Sequence, residues 1–504
     1  MSASVEVKDR TYGGWRRPAS PGVGPLKLIP TMVMMAGLGI TLLVSMVAGL
    51  WWALGFAMVA LLGAGPAVIP FRGRTVYAEW SKSSRWRRHQ RRGRNMYRSG
   101  LAGVTPSGTR SLPGLLAKVK VWDATDAIGR DFALVEIQAA HQWAVVMRVA
   151  AQGGALVDSE TNDVWVASWG EYLALLGQEG GVVQAAAVIE TIPDAGAMLH
   201  SHVATQVRDD APQFARDVAF SAAAELPVDV ADTVGYVTLT FTERGLGIER
   251  KGSDQTAAAV AEEVGRRLPG LSVALKDAGA SEGRPLSVAQ LSRRVREAFD
   301  PAVAAELAES EAEGLPIHVE FADAGPSAHD ETALSYRHDS GLSRTYEALQ
   351  VPPGVVRDGH MERLMGPMRT APRKRVTLLY RPVDAGRTAE TVDRDYKSAI
   401  NRAGRRKGVV HAHDSADLRS ARQATEEEAD GAGVVSFSVL VTVTVTEAAA
   451  FDRACTTIER AGRGARFRLS PVRGAQAAAF AGALGIGLSL PDLSVLPHVA
   501  REHI

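Results

Sequence analysis

The sequence predicts an α+β body of two related antiparallel-sheet and helix modules, ferredoxin-like in character, carried on an N-terminal transmembrane helical hairpin. Three observations predict it. Residues 28–71 contain no charged side chain, basic residues crowd both flanks of that run, and strand-like and helix-like periodicities alternate from about residue 116 onward. The chain has 504 residues, 46% of them hydrophobic and 22% charged, which excludes disordered and collagen-like classes and allows roughly two to four compact units. Its one cysteine, Cys455, excludes an internal disulfide or a cysteine-based zinc cluster and points to a reducing compartment.

The apolar run is about two bilayer spans long, with a turn near Ala48 and Gly49 that divides it into helices at 28–47 and 50–69. Pro30 falls in a first turn, small residues (Gly37, Gly39, Gly55, Gly63) permit close helix approach, and Trp51 and Trp52 suit an interface. The tail, residues 1–27, carries a net charge of +3 and the stretch 72–98 carries +9. With +1 for the whole chain, residues 99–504 must therefore carry −11. Basic flanks on both sides place both termini in the cytoplasm and the protein in the plasma (inner) membrane as a multi-pass chain. Within the basic run, Arg85, Arg87, Arg88, Arg91, Arg92 and Arg94 are the candidates for contact with the membrane surface or anionic lipid. Nucleic acid is a second partner for that run alone, because phosphate neutralisation needs only such a cluster, and the acidic body offers no broad basic face.

After a juxtamembrane segment and linker at 72–115, a first module spans 116–300, a connecting region 301–372, and a second module 373–504. The first reads as strands at 118–122, 132–138, 142–149, 182–190, 235–241 and 271–275, with helices at 163–176, 200–226, 256–268 and 287–299. The connecting region reads as a short strand at 316–321 followed by a polar insertion at 323–339. The second module reads as strands at 376–381, 434–445 and 466–469, with helices at 388–402, 416–429, 446–461 and 473–484. The run 434–445 alternates β-branched with polar residues, so Val435, Phe437, Val439, Val441, Val443 and Val445 should face the core.

A search for chemistry finds no P-loop, since Gly404 to Gly408 lacks the Gly-x4-Gly-Lys-Ser/Thr spacing, and neither a nucleophile elbow nor a His-Glu-x-x-His pair. The pairs His200/His202 and His411/His413 lack a third ligand and read as surface histidines, and Cys455 reads as a small core residue. The reading is a non-enzyme with no cofactor and no metal. The acids Glu426, Glu427 and Glu428 form a charged helix face that could dock a partner.

Between Tyr336 and Leu490 the succession is specific. A segment from Arg344 to Gly354 precedes residues 360–364, then the strand 376–380 followed by Arg381 and Pro382, the charged helix 414–429, the long strand 434–445, the helix 448–461, the strand 466–469, and Gln476 with Phe480 in a Gln-x-x-x-Phe run. This order resembles the N-terminal, non-catalytic region of conjugative type IV secretion ATPases. The hairpin is similar to the two-span inner-membrane subunit that accompanies or is fused to that ATPase. As a whole the chain resembles a membrane-protein family of actinobacterial conjugative elements. The chain departs from the ATPases in reaching Ile504 with no P-loop. The resemblance therefore implies a scaffold that anchors or docks a separate motor ATPase beside other secretion-channel subunits, acting as an oligomer. A type VII secretion accessory subunit and a membrane-tethered DNA-binding protein are the alternatives.

Overall fold

The computed structural model describes residues 12–13, 28–49, 51–52, 54–58, 70–71, 74–99, 110–150, 153, 157–193, 203, 206–208, 210–225, 231–312, 315, 317–350, 352, 355–356, 359–383, 385–404, 412–429 and 433–494. The chain divides into two units: 1–13, 95–388 and 432–493 form one, and 14–94, 389–431 and 494–504 the other.

In the second of these units, helix α1 (Leu28–Ala48) is a charge-free 21-residue segment with Pro30 in its first turn, where a missing N–H costs little. Gly49, at φ 89°, follows it in the left-handed conformation that commonly closes a helix. The expected pair of spanning helices does not hold, because among the described residues no helix is long and apolar enough to cross a membrane. Residues 59–69 of the second expected span lie outside the described residues. The transmembrane hairpin and the multi-pass plasma-membrane placement are corrected accordingly. Helix α2 (Val76–Arg91) follows, within the expected basic juxtamembrane segment.

The other unit is an α+β body on one 13-stranded sheet, in which every pairing is antiparallel. Its strands are β1 (Met96–Arg98), β2 (Val119–Thr125), β3 (Asp131–Ile137), β4 (Gln142–Val149), β5 (Val182–Pro193), β6 (Ala231–Thr242) and β7 (Arg284–Pro285), then β8 (Ala328–Glu331), β9 (Tyr336–His338), β10 (Gly341–Gln350), β11 (Arg373–Pro382), β12 (Val435–Val445) and β13 (Arg468–Pro471). The order across the sheet is β1-β8-β9-β10-β12-β11-β5-β6-β4-β3-β2, with β7 added to β4 and β13 added to β10. The helices between them along the chain are α3 (Ser159–Gln178), α4 (Gln213–Glu225), α5 (Ser253–Val273), α6 (Val288–Phe299), α7 (Val303–Ala312), α8 (Glu362–Met365), α9 (Ala385–Gly404), α10 (Ala412–Ala429), α11 (Phe451–Gly464) and α12 (Gln476–Ala483), of which α10 and α9 from residue 389 onward belong to the unit that holds α1 and α2.

The two halves share one topology. In the first, β4-α3-β5-α4-β6-α5-β7 gives the order β7-β4-β6-β5. In the second, β10-α8-β11-α9-α10-β12-α11-β13 gives β13-β10-β12-β11. Both are the split β-α-β arrangement of ferredoxin-like folds, with helices inserted where that fold has a hairpin. The halves meet edge to edge, β5 against β11, with Val188 opposite Thr377 at the middle of the register. Crossing that seam, the strand order of one half repeats in reverse in the other, the pattern of a local two-fold repeat.

Side-chain alternation divides the core by face. On one face Trp143, Val145 and Met147 of β4 pack under Tyr172 and Leu176 of α3 and Val260, Val264 and Leu268 of α5. On the same face of the second half, Val439, Val441, Val443 and Val445 of β12 pack under Phe451, Cys455 and Ile458 of α11, as their alternation predicts. On the opposite face Ala144 and Val146 meet Leu291, Val295 and Phe299 of α6 and Phe480 of α12.

Three local expectations are corrected. Residues 271–275 continue α5 into its last turn and beyond rather than forming a strand, because Leu271 and Leu275, buried at 3% and 0%, repeat at helical spacing. No strand forms over the described part of 316–321. The polar insertion at 323–339 supplies β8 and β9, since Glu331, Tyr336 and His338 are buried and β1, from the expected linker, pairs with β8.

After α12 the chain lies flat on the sheet as a strap whose backbone carbonyls are met by side chains beneath. Thr377 donates to Ala483 O (2.7 Å), Arg294 to Leu484 O (2.7 Å), Thr238 to Gly485 O (2.5 Å), Thr240 to Gly487 O (3.1 Å) and Gln184 to Leu488 O (3.2 Å). A buried irregular segment must satisfy its carbonyls in this way. Close approach requires Gly487: its φ is 99°, and a Cβ there would fall 2.1 Å from Ala144 Cβ. Gly487→Ala should therefore cost about 2–5 kcal/mol in denaturant unfolding. Gly247→Ala, at φ 72° with open space around it, should cost only about 1 kcal/mol. Equal losses in the two variants would show that the strap is not held at this spacing.

Candidate functional site: a basic cavity above a buried ion cluster

Where the halves join, the strands place charges opposite one another. Register puts Glu190 of β5 directly across from Arg375 of β11, and Arg375 Nη2 donates to Glu190 Oε1 at 2.5 Å. Arg294, from α6, lies 3.7 Å from the other carboxylate oxygen and stacks 3.9 Å over the ring of Tyr236. Burial alone pushes the Glu190 carboxyl up, but the guanidinium of Arg375, then that of Arg294, outweigh it and bring the pKa down to about 2. Arg373 is also buried; it donates to Glu297 O at 3.3 Å, and no carboxylate stands within ion-pair distance of it among the described residues. Arg375 and Arg294 thus share the carboxylate of Glu190, and the buried Arg373 acts on it through its field. Among the described residues, Arg294 Nε and Nη1 and Arg375 Nε have no hydrogen-bond partner.

Arg373 also lines a cavity of about 470 Å³ at the ends of β5, β11 and β12. Its walls include Pro193, Pro301 and Val445, and its polar lining comprises Arg369, Arg453, Thr370, Thr444, Thr446 and Glu447. Arg369 and Arg453 are exposed, and no ion pair engages either among the described residues. The 3₁₀ turn at Ala448–Ala450 leads here into α11, whose N-cap, Ala450, has no side-chain capping bond. A second cavity of about 750 Å³, beside β7, is also lined by arginines, but Arg130 there is paired with Asp126 (2.7 Å) and Glu282 (3.0 Å).

A chain of hydrogen bonds leads from the first cavity into the core. Thr444 Oγ1 lies 2.7 Å from Ser343 Oγ, which lies 2.7 Å from His338 Nε2, while His338 Nδ1 lies 2.6 Å from Phe299 O. A carbonyl can only accept, so Nδ1 carries the proton and Nε2 accepts from Ser343. Burial lowers the His338 pKa to about 4, against the opposing pull of the Phe299 carbonyl, and the imidazole is neutral at physiological pH. The serine–histidine contact is fully buried, which gives it the form of a structural tie.

The residues singled out in the sequence do not converge on this cavity. Arg85, Arg87, Arg88, Arg91, Arg92 and Arg94 are all exposed, on α2 and just after it. Glu426 and Glu427 are exposed on α10, with Glu428 half-buried. Cys455 is buried within the α11 core. His200, His202, His411 and the side chain of His413 lie outside the described residues, and among the described residues no group of three or more His, Cys, Asp or Glu could hold a metal ion. The Gln-x-x-x-Phe run is architectural. Gln476 accepts from Thr345 N (2.8 Å) and donates to Thr345 O (3.1 Å) and Val472 O (2.6 Å), while Phe480 packs on Tyr336, His338 and Phe299. Sequence reasoning missed Glu190, Arg294 and Arg373. The available signal was the Arg373-Lys374-Arg375 triplet opening an apolar strand, where alternation turns both arginines to one buried face.

Residues 19–78 match the model of a family described as a domain of unknown function (DUF8461). No curated protein matches the chain. Neither finding names a conjugative or membrane family.

The two buried groups set a staged acid response. A folded-state pKa below the unfolded value means that the unfolded chain binds more protons, so stability rises with pH in that window. The His338 contribution is complete above about 6.5 and lost as pH falls toward about 4; that of Glu190 is complete above about 4.5 and lost toward about 2. His338→Gln should flatten the pH dependence of unfolding free energy between pH 6.5 and 4, removing up to about 3 kcal/mol of it. An unchanged slope in urea titrations across that window would contradict the buried neutral imidazole.

Proposed function

We propose that the protein is a non-enzymatic scaffold of a conjugative DNA-transfer apparatus that docks a separate motor ATPase through the acidic face of α10. The observation that carries the reading is the state of that face. Glu426 and Glu427 are exposed, and their bonds run along their own helix, to Arg422 (3.1 Å) and Gln423 (2.7 Å). Such i,i+4 pairs contribute only about 0.3–0.5 kcal/mol, so they yield easily to a basic partner surface. The resemblance of 336–490 to the non-catalytic region of a conjugative ATPase supports the choice of partner.

Charge on an exposed helix tunes association more than folding. The triple change of Glu426, Glu427 and Glu428 to Lys should shift unfolding free energy by no more than about 0.5 kcal/mol. It should sharply reduce copurification of the ATPase, with a larger deficit at about 0.05 M than at about 0.5 M salt. Recovery of the ATPase unchanged at both salt levels would remove α10 as the docking face.

A further inference from the structure

The ion cluster leaves an electrostatic imbalance that the cavity is placed to correct. Arg294, Arg373 and Arg375 are all buried, yet Glu190 is the carboxylate that Arg294 and Arg375 share, and among the described residues none stands within ion-pair distance of Arg373. Glu297 lends Arg373 only its backbone oxygen, at 3.3 Å, because its carboxylate is held by Arg293 at 2.7 Å. Buried charge without a counter-charge is costly, and proteins compensate it or leave it open to a ligand. Arg373 is 7% exposed and lines the cavity, and its guanidinium groups other than Nη1 have no acceptor among the described residues. Arg369 and Arg453 at the same cavity are exposed without ion pairs, Thr444 and Thr446 add hydroxyls, and Glu447 alone opposes them.

We propose that this cavity binds a phosphorylated small molecule, its phosphoryl group held between Arg369, Arg373 and Arg453. Guanidinium forks match phosphate oxygens two at a time, and three such forks exceed what a carboxylate ligand can use. The volume, about 470 Å³, is several times that of a phosphate, and the apolar surfaces of Pro193, Pro301 and Val445 offer a wall for an organic body. Glu447 lies where it repels surplus negative charge, so it sets affinity against the arginines.

The test titrates the full chain with inorganic phosphate and with glycerol phosphate, by calorimetry and thermal shift, against sodium chloride of equal ionic strength. Both phosphates should bind saturably, the ester more tightly, and chloride should give no saturable shift. Arg369→Glu with Arg453→Glu, at exposed positions that leave the core intact, should weaken phosphate by about tenfold or more. Glu447→Gln should tighten it several-fold. An inorganic phosphate affinity equal to or better than the ester's would refute the organic-body part of the site. Phosphate binding that is absent at about 10 mM, or that survives the double charge reversal, would overturn the proposal.

Discussion

The pairing of Glu190 with Arg375 is the constraint on which the body depends. Among the described residues it sits at the one place where the first half of the sheet touches the second strand-to-strand, and both residues belong to the seam strands themselves. A cross-strand ion pair at a buried seam is a poor source of net stability, because desolvation consumes most of the Coulomb gain. What it supplies is register. Sliding β11 by one residue against β5 would bring Lys374 into line with Glu190 and turn Arg375 toward the face occupied by α3 and α11. Thr191 reinforces the same alignment, its hydroxyl lying 3.3 Å from Lys374 N and 3.4 Å from Lys374 O.

From that seam the rest of one face follows. Arg294 brings α6 to the cluster and fixes the strap at Leu484, so a helix of the first half and the last segment of the second share one anchor. The strap returns across β6 and β5, and its carbonyls find hydroxyls or amides on the strands it crosses. The apolar residues between those carbonyls, Leu484, Ile486 and Leu488, complete the core over Ala144 and Val188. Each half alone would expose that surface, so the two repeats are stable as a pair: the second half contributes the cover that the first half lacks.

How much of this was legible in the sequence depends on the range of each interaction. Strand β12 could be read from alternation alone, down to which valines face inward, because one strand's two faces meet different environments. Helices α3, α5, α6 and α11 were legible for the same reason at a period of 3.6. The strands β8 and β9 were not, because their buried residues include Glu331 and His338, whose polarity is satisfied by partners far away in the chain, such as the backbone of Phe299. The ion cluster was hidden for a related reason. Glu190, Arg294 and Arg375 are individually ordinary, and only register brings them within reach. The membrane expectation failed on a different ground: it rested on a charge-free run and its basic flanks, whereas among the described residues no helix is long and apolar enough to cross a membrane.

The charge arithmetic gains meaning once the fold is known. Residues 99–504 carry a net −11, yet the ends of β5, β11 and β12 hold a local surplus of arginine. A surplus of that sign inside an acidic body cannot arise from overall composition, and it does not help folding, because guanidiniums without carboxylates oppose burial. Arg369 and Arg453 reach the same cavity from different segments of the chain, one just before β11 and one from the first turn of α11, and Arg373 lines it beside them. A salt-bridge network would have placed acids among them, as it does for Arg296, paired with Asp300 at 2.5 Å and Asp339 at 2.9 Å. The contrast between these two arginine sites, one on α6 and one at the start of β11 and α11, separates structural charge from charge held in reserve for a ligand.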